Sequence, residues 1–213
     1  NATFRNFQLT DGTAKDYLGF GAGVRNLPSS FPAHLGEHST DEAAAFTRQI
    51  NQRWGINKFT AIPDQKISLT SHRSYDVGGW KIGNITNLNW STEYDYSETV
   101  NNNYIAYDVK NDVSRPRFEY NDIRYKNTSK LGALFNWSFQ RDGSKYELRN
   151  FFSQRGVSAL TQREGMNYYS DKDIRRWESL YTGRTTYSGQ ISGVHTLREN
   201  VNKVDWTAGY AFA

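Results

Sequence analysis

Two histidines four residues apart with a glutamate just before the second, His34-Leu-Gly-Glu-His38, form the pattern in this chain that most directly suggests catalysis. On a helix that spacing would aim both imidazoles at one zinc ion while the glutamate activates zinc-bound water, as in one class of peptidase. A zinc hydrolase built on His34, Glu37 and His38 is therefore one reading. Its context weighs against it. Pro32 precedes the motif, Gly36 interrupts it, and the next helix-start signal, Thr40, comes after it. A solvated loop explains the same residues without a metal, and spacing picks out no third ligand.

Asp171-Lys-Asp173 resembles the opening of a calcium loop but lacks the glycine and the distal glutamate of the full motif, so it reads as a turn. The basic and aromatic run after it is a stronger binding candidate. Arg175, Arg176 and Trp177, followed by Glu178, offer two guanidinium groups and an indole for a carbohydrate or anionic substrate. A tryptophan anchored at a membrane interface would explain the same cluster. No nucleophile, base and orienting acid come together in the sequence, and no glycine-rich phosphate loop follows a strand. The expectation is a non-enzymatic protein with no cofactor, no catalytic residues and no metal site.

These candidates must be held by strands. From Lys203 to Phe212 the chain alternates strictly, with Val204, Trp206, Ala208, Tyr210 and Phe212 on one face and small or polar residues on the other. Alternation recurs at 2–9, 66–75, 80–96, 123–139, 145–152 and 179–197, which gives about seven strands. Ile82, Leu88, Trp90, Tyr94 and Tyr96 share one face of the third, and Leu131, Ala133, Phe135, Trp137 and Phe139 one face of the fourth. Glu93, Asp95, Glu147, Arg149 and Asp205 fall on the opposite, wet face. Asp76-Val-Gly-Gly79, Arg141-Asp-Gly-Ser144 and Arg198 to Asn202 read as tight turns. Ser97 to Tyr120 and Ser153 to Arg176 are polar and read as long loops. Thr10 to Gln65 reads as a longer loop still, with a short helix near 41–54 that starts at the N-cap Thr40 and stops at Gly55.

Composition agrees with strands that are half apolar. Aromatic residues make up 15% of the 213 residues against a hydrophobic total of 37%, with 14 Tyr and 6 Trp. The mean hydropathy of −0.79 and the lack of any run of about 18 apolar residues exclude helical membrane spans, but a barrel strand gives a far weaker signal. There is no cysteine, hence no disulfide framework. The net charge of +4 is spread among acids rather than gathered into a basic face, which gives no support to nucleic-acid binding. Short turns alternating with long loops match the periplasmic and extracellular ends of outer-membrane barrels. The opening at Asn1 without a Met and the ending on Phe212-Ala213 without turn residues read as those of a piece of a longer chain.

Asp16-Tyr-Leu-Gly-Phe-Gly-Ala-Gly-Val-Arg-Asn-Leu-Pro-Ser-Ser-Phe-Pro32, with the short helix and Ala61-Ile-Pro63 after it, resembles the first large extracellular loop of TonB-dependent outer-membrane receptors of the Bacteroidetes type. Ser192-Gly-Val-His-Thr-Leu197 with Lys203-Val-Asp-Trp206 and Tyr210 is similar to a barrel hairpin of the same family. Where the family commonly has Asp-Asp-Gly, this chain has Gly21-Ala-Gly23. The resemblance implies a large plugged barrel of about 22 strands in the outer membrane of a Gram-negative bacterium, energised through the TonB complex. Of that barrel this chain would hold an internal segment: an extracellular loop at 10–65 and strand hairpins at 66–213, with the plug domain not present. The expected partners are outer-membrane lipid, an extracellular nutrient, the TonB complex through the absent plug, and a surface lipoprotein that the resemblance allows. The alternative is a soluble all-β carbohydrate-binding module.

Overall fold

Pairing of backbone amides turns the alternating stretches into a single long meander. The computed structural model describes residues 2–50, 55–197 and 202–213. Strands β1 (Asn6–Thr10) and β2 (Ile56–Thr60) pair antiparallel as a small ribbon. Strands β3 (Gln65–Val77), β4 (Trp80–Asp108), β5 (Val113–Arg141), β6 (Ser144–Asn167), β7 (Lys172–Leu197) and β8 (Asn202–Phe212) follow one another in a six-stranded antiparallel sheet. The all-β antiparallel meander is thus the observed architecture, with eight strands among the described residues where the sequence suggested about seven. The additional one, β2, lies inside the stretch read as loop. Among the described residues no helix is long and apolar enough to cross a membrane.

At one end of the sheet the hairpins close as the sequence demands. Asp142 and Gly143 both adopt positive φ, at 45° and 76°, the backbone that a two-residue hairpin needs and that Asp-Gly supplies cheaply. The turn expected at Arg198–Asn202 lies almost wholly outside the described residues.

At the other end the strands run much further than the sequence pattern suggests. The supposed loops at 97–120 and 153–176 are strand, and β4 and β5 each run for 29 residues. The connections there are only 109–112 and 168–171. Polar side chains on both faces hide the period of two, yet each residue still offers one N–H and one C=O to the ladder. Pro116, which cannot donate to the ladder, is accommodated where the β4–β5 register shifts around Tyr104.

The helix is also shorter and starts earlier than its sequence signals indicate. α1 spans Thr40–Arg48, and its N-cap is Ser39, not Thr40. Ser39 accepts from the Glu42 amide while the Glu42 carboxylate accepts from the Ser39 amide, a full capping box that the Thr40 reading overlooked. Trp54, read as the helix end, lies outside the described residues.

The segment before β3 folds back onto the sheet. Phe7 of β1 is fully buried, with its ring 5.4 Å from Tyr94 and 5.3 Å from Tyr125 in edge-on geometry. Ala2, Ala61 and Leu160 complete this small core. Nearer the tight-turn end, residues 16–25 form a strap tied at several points. Gly21 N–H donates to the Tyr181 hydroxyl at 2.7 Å, Gln154 Nε2 to the Gly19 carbonyl at 2.5 Å, and Trp90 Nε1 to the Tyr17 carbonyl at 2.6 Å. Gly19 (φ 82°) sits against Gly156 so closely that a Cβ on Gly156 would lie 2.6 Å from Gly19 Cα. Gly156→Val is expected to lift the strap and speed hydrogen exchange at the Gly21 amide about fivefold or more, since overpacking costs about 1–3 kcal/mol and about 1.4 kcal/mol is tenfold. An unchanged rate would contradict so close a seat.

Candidate functional site

Register decides which side chains share a face. Ile82, Phe139, Tyr146, Gly193 and Trp206 form one cross-strand row, and Leu88, Ala133, Phe152, Tyr187 and Phe212 another. Between them lie Trp137, Leu148, Ile191 and Ala208, then Phe135 and Tyr210. Leu69 and Tyr75 extend the same face onto β3. Many of these residues are exposed, among them Leu69, Leu88, Phe135, Leu148, Ile191 and Tyr210. A contiguous apolar face of this extent marks an interaction surface rather than ordinary protein exterior.

The belt has aromatic edges. Towards the tight turns, Trp80 and Tyr146 lie 6.3 Å apart, and Tyr146 and Trp206 6.5 Å. Trp206 Nε1 lies 3.1 Å from His195 Nε2 as a hydrogen-bond donor. At the opposite edge, Tyr187 and Phe212 lie 5.8 Å apart, with Trp90 and Phe152 nearby in register. Polar groups inside the belt are satisfied within the sheet. Asn84 Nδ2 donates to the Asn136 carbonyl, Thr86 to Asn84 Oδ1, and the Tyr187 hydroxyl to Asn150 Oδ1. Arg73, on the sheet-edge strand β3, is opposite Asn84, two rows in from the Trp80 row.

The other face carries paired charges, some across strands and some along one. Lys126 Nζ lies 2.8 Å from Asp95, Lys130 Nζ 3.5 Å from Glu93, and Glu147 sits between Lys145 and Arg149 at 2.6 and 2.5 Å. All five residues expected on the wet face, Glu93, Asp95, Glu147, Arg149 and Asp205, share it by register. Further from the tight turns, Arg163 donates to both carboxylate oxygens of Asp122 at 2.7 Å, and this pair lines a cleft of about 350 Å³ with Arg124, Thr99, Glu178 and Leu180. The Arg163 guanidinium holds the Asp122 carboxyl below the usual carboxylate range, against the opposing effect of burial.

A second cavity of about 450 Å³ lies in the seam between the N-terminal segment and the sheet, walled by Leu9, Tyr17, Phe59 and Tyr94 and by the polar Thr10, Asn57, Asn127 and Ser158. Several of its polar groups are already engaged, Thr10 with Ser179 at 3.0 Å and Asn127 with Thr92 at 2.9 Å. Burial pushes the Tyr94 phenol up.

The residues singled out in the sequence do not converge. Arg175 and Trp177 share the belt-side face, where the Arg175 guanidinium lies 5.1 Å from the Trp177 ring centre and 2.9 Å from Glu164. Arg176 points to the opposite face towards Glu178 at 3.7 Å. All three lie within β7, not where a loop re-enters the sheet. His34 and His38 flank a single 3-10 turn in extended backbone, and His38 faces Phe46 at 5.2 Å and Glu42 at 3.9 Å. The motif therefore lacks the helix that its proposed chemistry needs. Among the described residues no group of three or more His, Cys, Asp or Glu is placed to hold a metal.

The sequence reading missed the charge pair that shapes the strap. Arg25 Nη2 and Nη1 donate to Asp16 Oδ2 and Oδ1 at 2.7 and 3.2 Å, Nη1 also donates to the Gly21 carbonyl at 2.9 Å, and the guanidinium carbon lies 4.4 Å from the Tyr181 ring centre. Opposite charges flanking a glycine-rich stretch were the available signal. The Asp122–Arg163 pair was legible only through register.

Comparison with protein-family models, with curated proteins and with solved structures finds no match to this chain. The Asp122 shift yields a signed expectation. A depressed carboxylate contributes stability that is present above its unfolded value, about 3.9, and is lost as pH falls through the lower folded value. Between neutral pH and about pH 4 the contribution should hold, then decay below. Asp122→Asn should remove that part of the acid dependence from unfolding curves of the intact protein. An identical acid limb in both proteins would contradict it.

Proposed function

We propose that this chain is a wall segment of an outer-membrane β-barrel, of the TonB-dependent receptor type that its sequence resembles, and that it serves nutrient uptake across the outer membrane of a Gram-negative bacterium. The observation that carries the reading is the division of the six-stranded sheet into one aromatic-edged apolar belt and one charged face. From Trp80 to Trp90 the strand rises about 33 Å, or about 24 Å along the membrane normal at a tilt of about 45°. That height suits the apolar band of about 25 Å on such barrels.

One residue of this face opposes the reading: Arg73, opposite Asn84, lies near the middle of the Trp80–Trp90 span, where a cation on the lipid face costs about 2–4 kcal/mol. The two ends of the sheet, β3 and β8, would need further strands in a bilayer, because unpaired backbone in hydrocarbon costs several kcal/mol per group. Those strands would come from neighbouring sequence of the same protein.

In this reading the charged face lines the lumen, and the strands that continue past the belt carry the binding surfaces outside the cell. Extracellular substrate would meet those surfaces, and the plug, driven through the TonB complex, would then release it inward. A surface lipoprotein could cover the mouth. The intact protein should be recovered in outer-membrane fractions and should migrate differently on gels before and after heating, as folded barrels do. Recovery as a soluble periplasmic protein would overturn the proposal.

A further inference from the structure

The tip of the strap exposes apolar side chains beside the belt. Leu18 and Phe20 are 45% and 40% exposed, although the backbone around them is tied to the sheet. Their height on the sheet is defined by contacts. The Phe20 ring stacks on Phe152 at 6.4 Å, the Tyr17 carbonyl takes the Trp90 indole N–H, and the Gly19 carbonyl takes Gln154 Nε2. Phe152, Trp90 and Gln154 occupy the last rows of the belt at the end away from the tight turns.

We infer that Leu18 and Phe20 form an interfacial lipid anchor, an apolar toe that the strap dips into the outer leaflet beside the barrel wall. This rests on the membrane reading given above. The strap lies on the same face as the belt, so it stands outside the barrel and not over its lumen. Its tip adjoins the belt where Phe20 stacks on Phe152, with Leu18 two residues before it. Residues 17–20 carry no charge, and amphipathic or aromatic rings at this level suit the headgroup boundary. The toe is also rigid before it meets lipid, through the Asp16–Arg25 pair and the Gly19–Gly156 contact, so little ordering entropy opposes insertion.

The test uses the intact protein reconstituted in phosphatidylcholine vesicles containing nitroxide-labelled phosphatidylcholine. The chain has no cysteine, so Leu18→Cys and, separately, Ile191→Cys each give it a single thiol for a fluorescent label. Both side chains are exposed, so neither change disturbs buried packing. The inference predicts that a shallow nitroxide quenches the Leu18 label strongly and that aqueous iodide quenches it weakly. A quenched Ile191 label beside an iodide-accessible Leu18 label would overturn the anchor while leaving the barrel intact. A Leu18 label shielded from both quenchers would assign the toe to a protein partner, which also overturns it. An Ile191 label untouched by any nitroxide lipid would remove the membrane reading itself, and the anchor with it.

Discussion

Antiparallel register is the constraint on which the rest of this structure depends. Once Ile82 is opposite Phe139 and Phe139 opposite Tyr146, every other side chain on each strand is committed to the same environment, and a slip of one residue would exchange the two faces. The belt would then present Glu147 and Arg149 where Tyr146 and Leu148 now stand. The tight turns fix this register at one end. Asp142-Gly143 leaves no spare residue through which the β5–β6 pairing could slide.

A second layer of order is built on the first. Above the belt the outward face changes character from large aromatics to Thr92, Ser129, Gly156 and Gly183, small residues that would leave a bare, wet strip on the sheet. The N-terminal segment covers it. Thr92 and Ser129 are almost fully buried beneath it, and the glycines let its backbone approach closely. Phe7 anchors one end of the segment and the Asp16–Arg25 pair shapes the other. Such a pair contributes mainly by not being broken, since removing one partner would strand a buried charge at a cost of about 3–5 kcal/mol.

Legibility in the sequence followed the strength of the period-two signal. It was clear where one face is apolar, as in Leu131 to Phe139 and Val204 to Phe212, and there the strands and their faces lie where the residues place them. It failed where both faces are polar or small. Asn101-Asn-Asn103 and Pro116 looked like loop, yet the ladder continues past them with a register shift that absorbs the proline. The helix was legible but its cap was displaced by one residue, because Ser39 and Thr40 offer the same chemistry and only Ser39 stands three residues before Glu42. The seam was not legible at all. Nothing local in Gly156 or Tyr181 announces a partner more than a hundred residues earlier. Proximity in sequence likewise misled for Arg175, Arg176 and Trp177, since neighbours on a strand face opposite ways.

In the proposed membrane setting one face of this sheet meets lipid and the other meets water, which accessibility along a single strand tests directly. Single cysteines placed in turn at positions 133 to 138 of β5, in the intact protein in its native membrane, would be treated with a water-soluble maleimide. The account predicts protection at Ala133, Phe135 and Trp137 and reaction at Leu134, Asn136 and Ser138, a strict alternation. Equal labelling of both sets would contradict it.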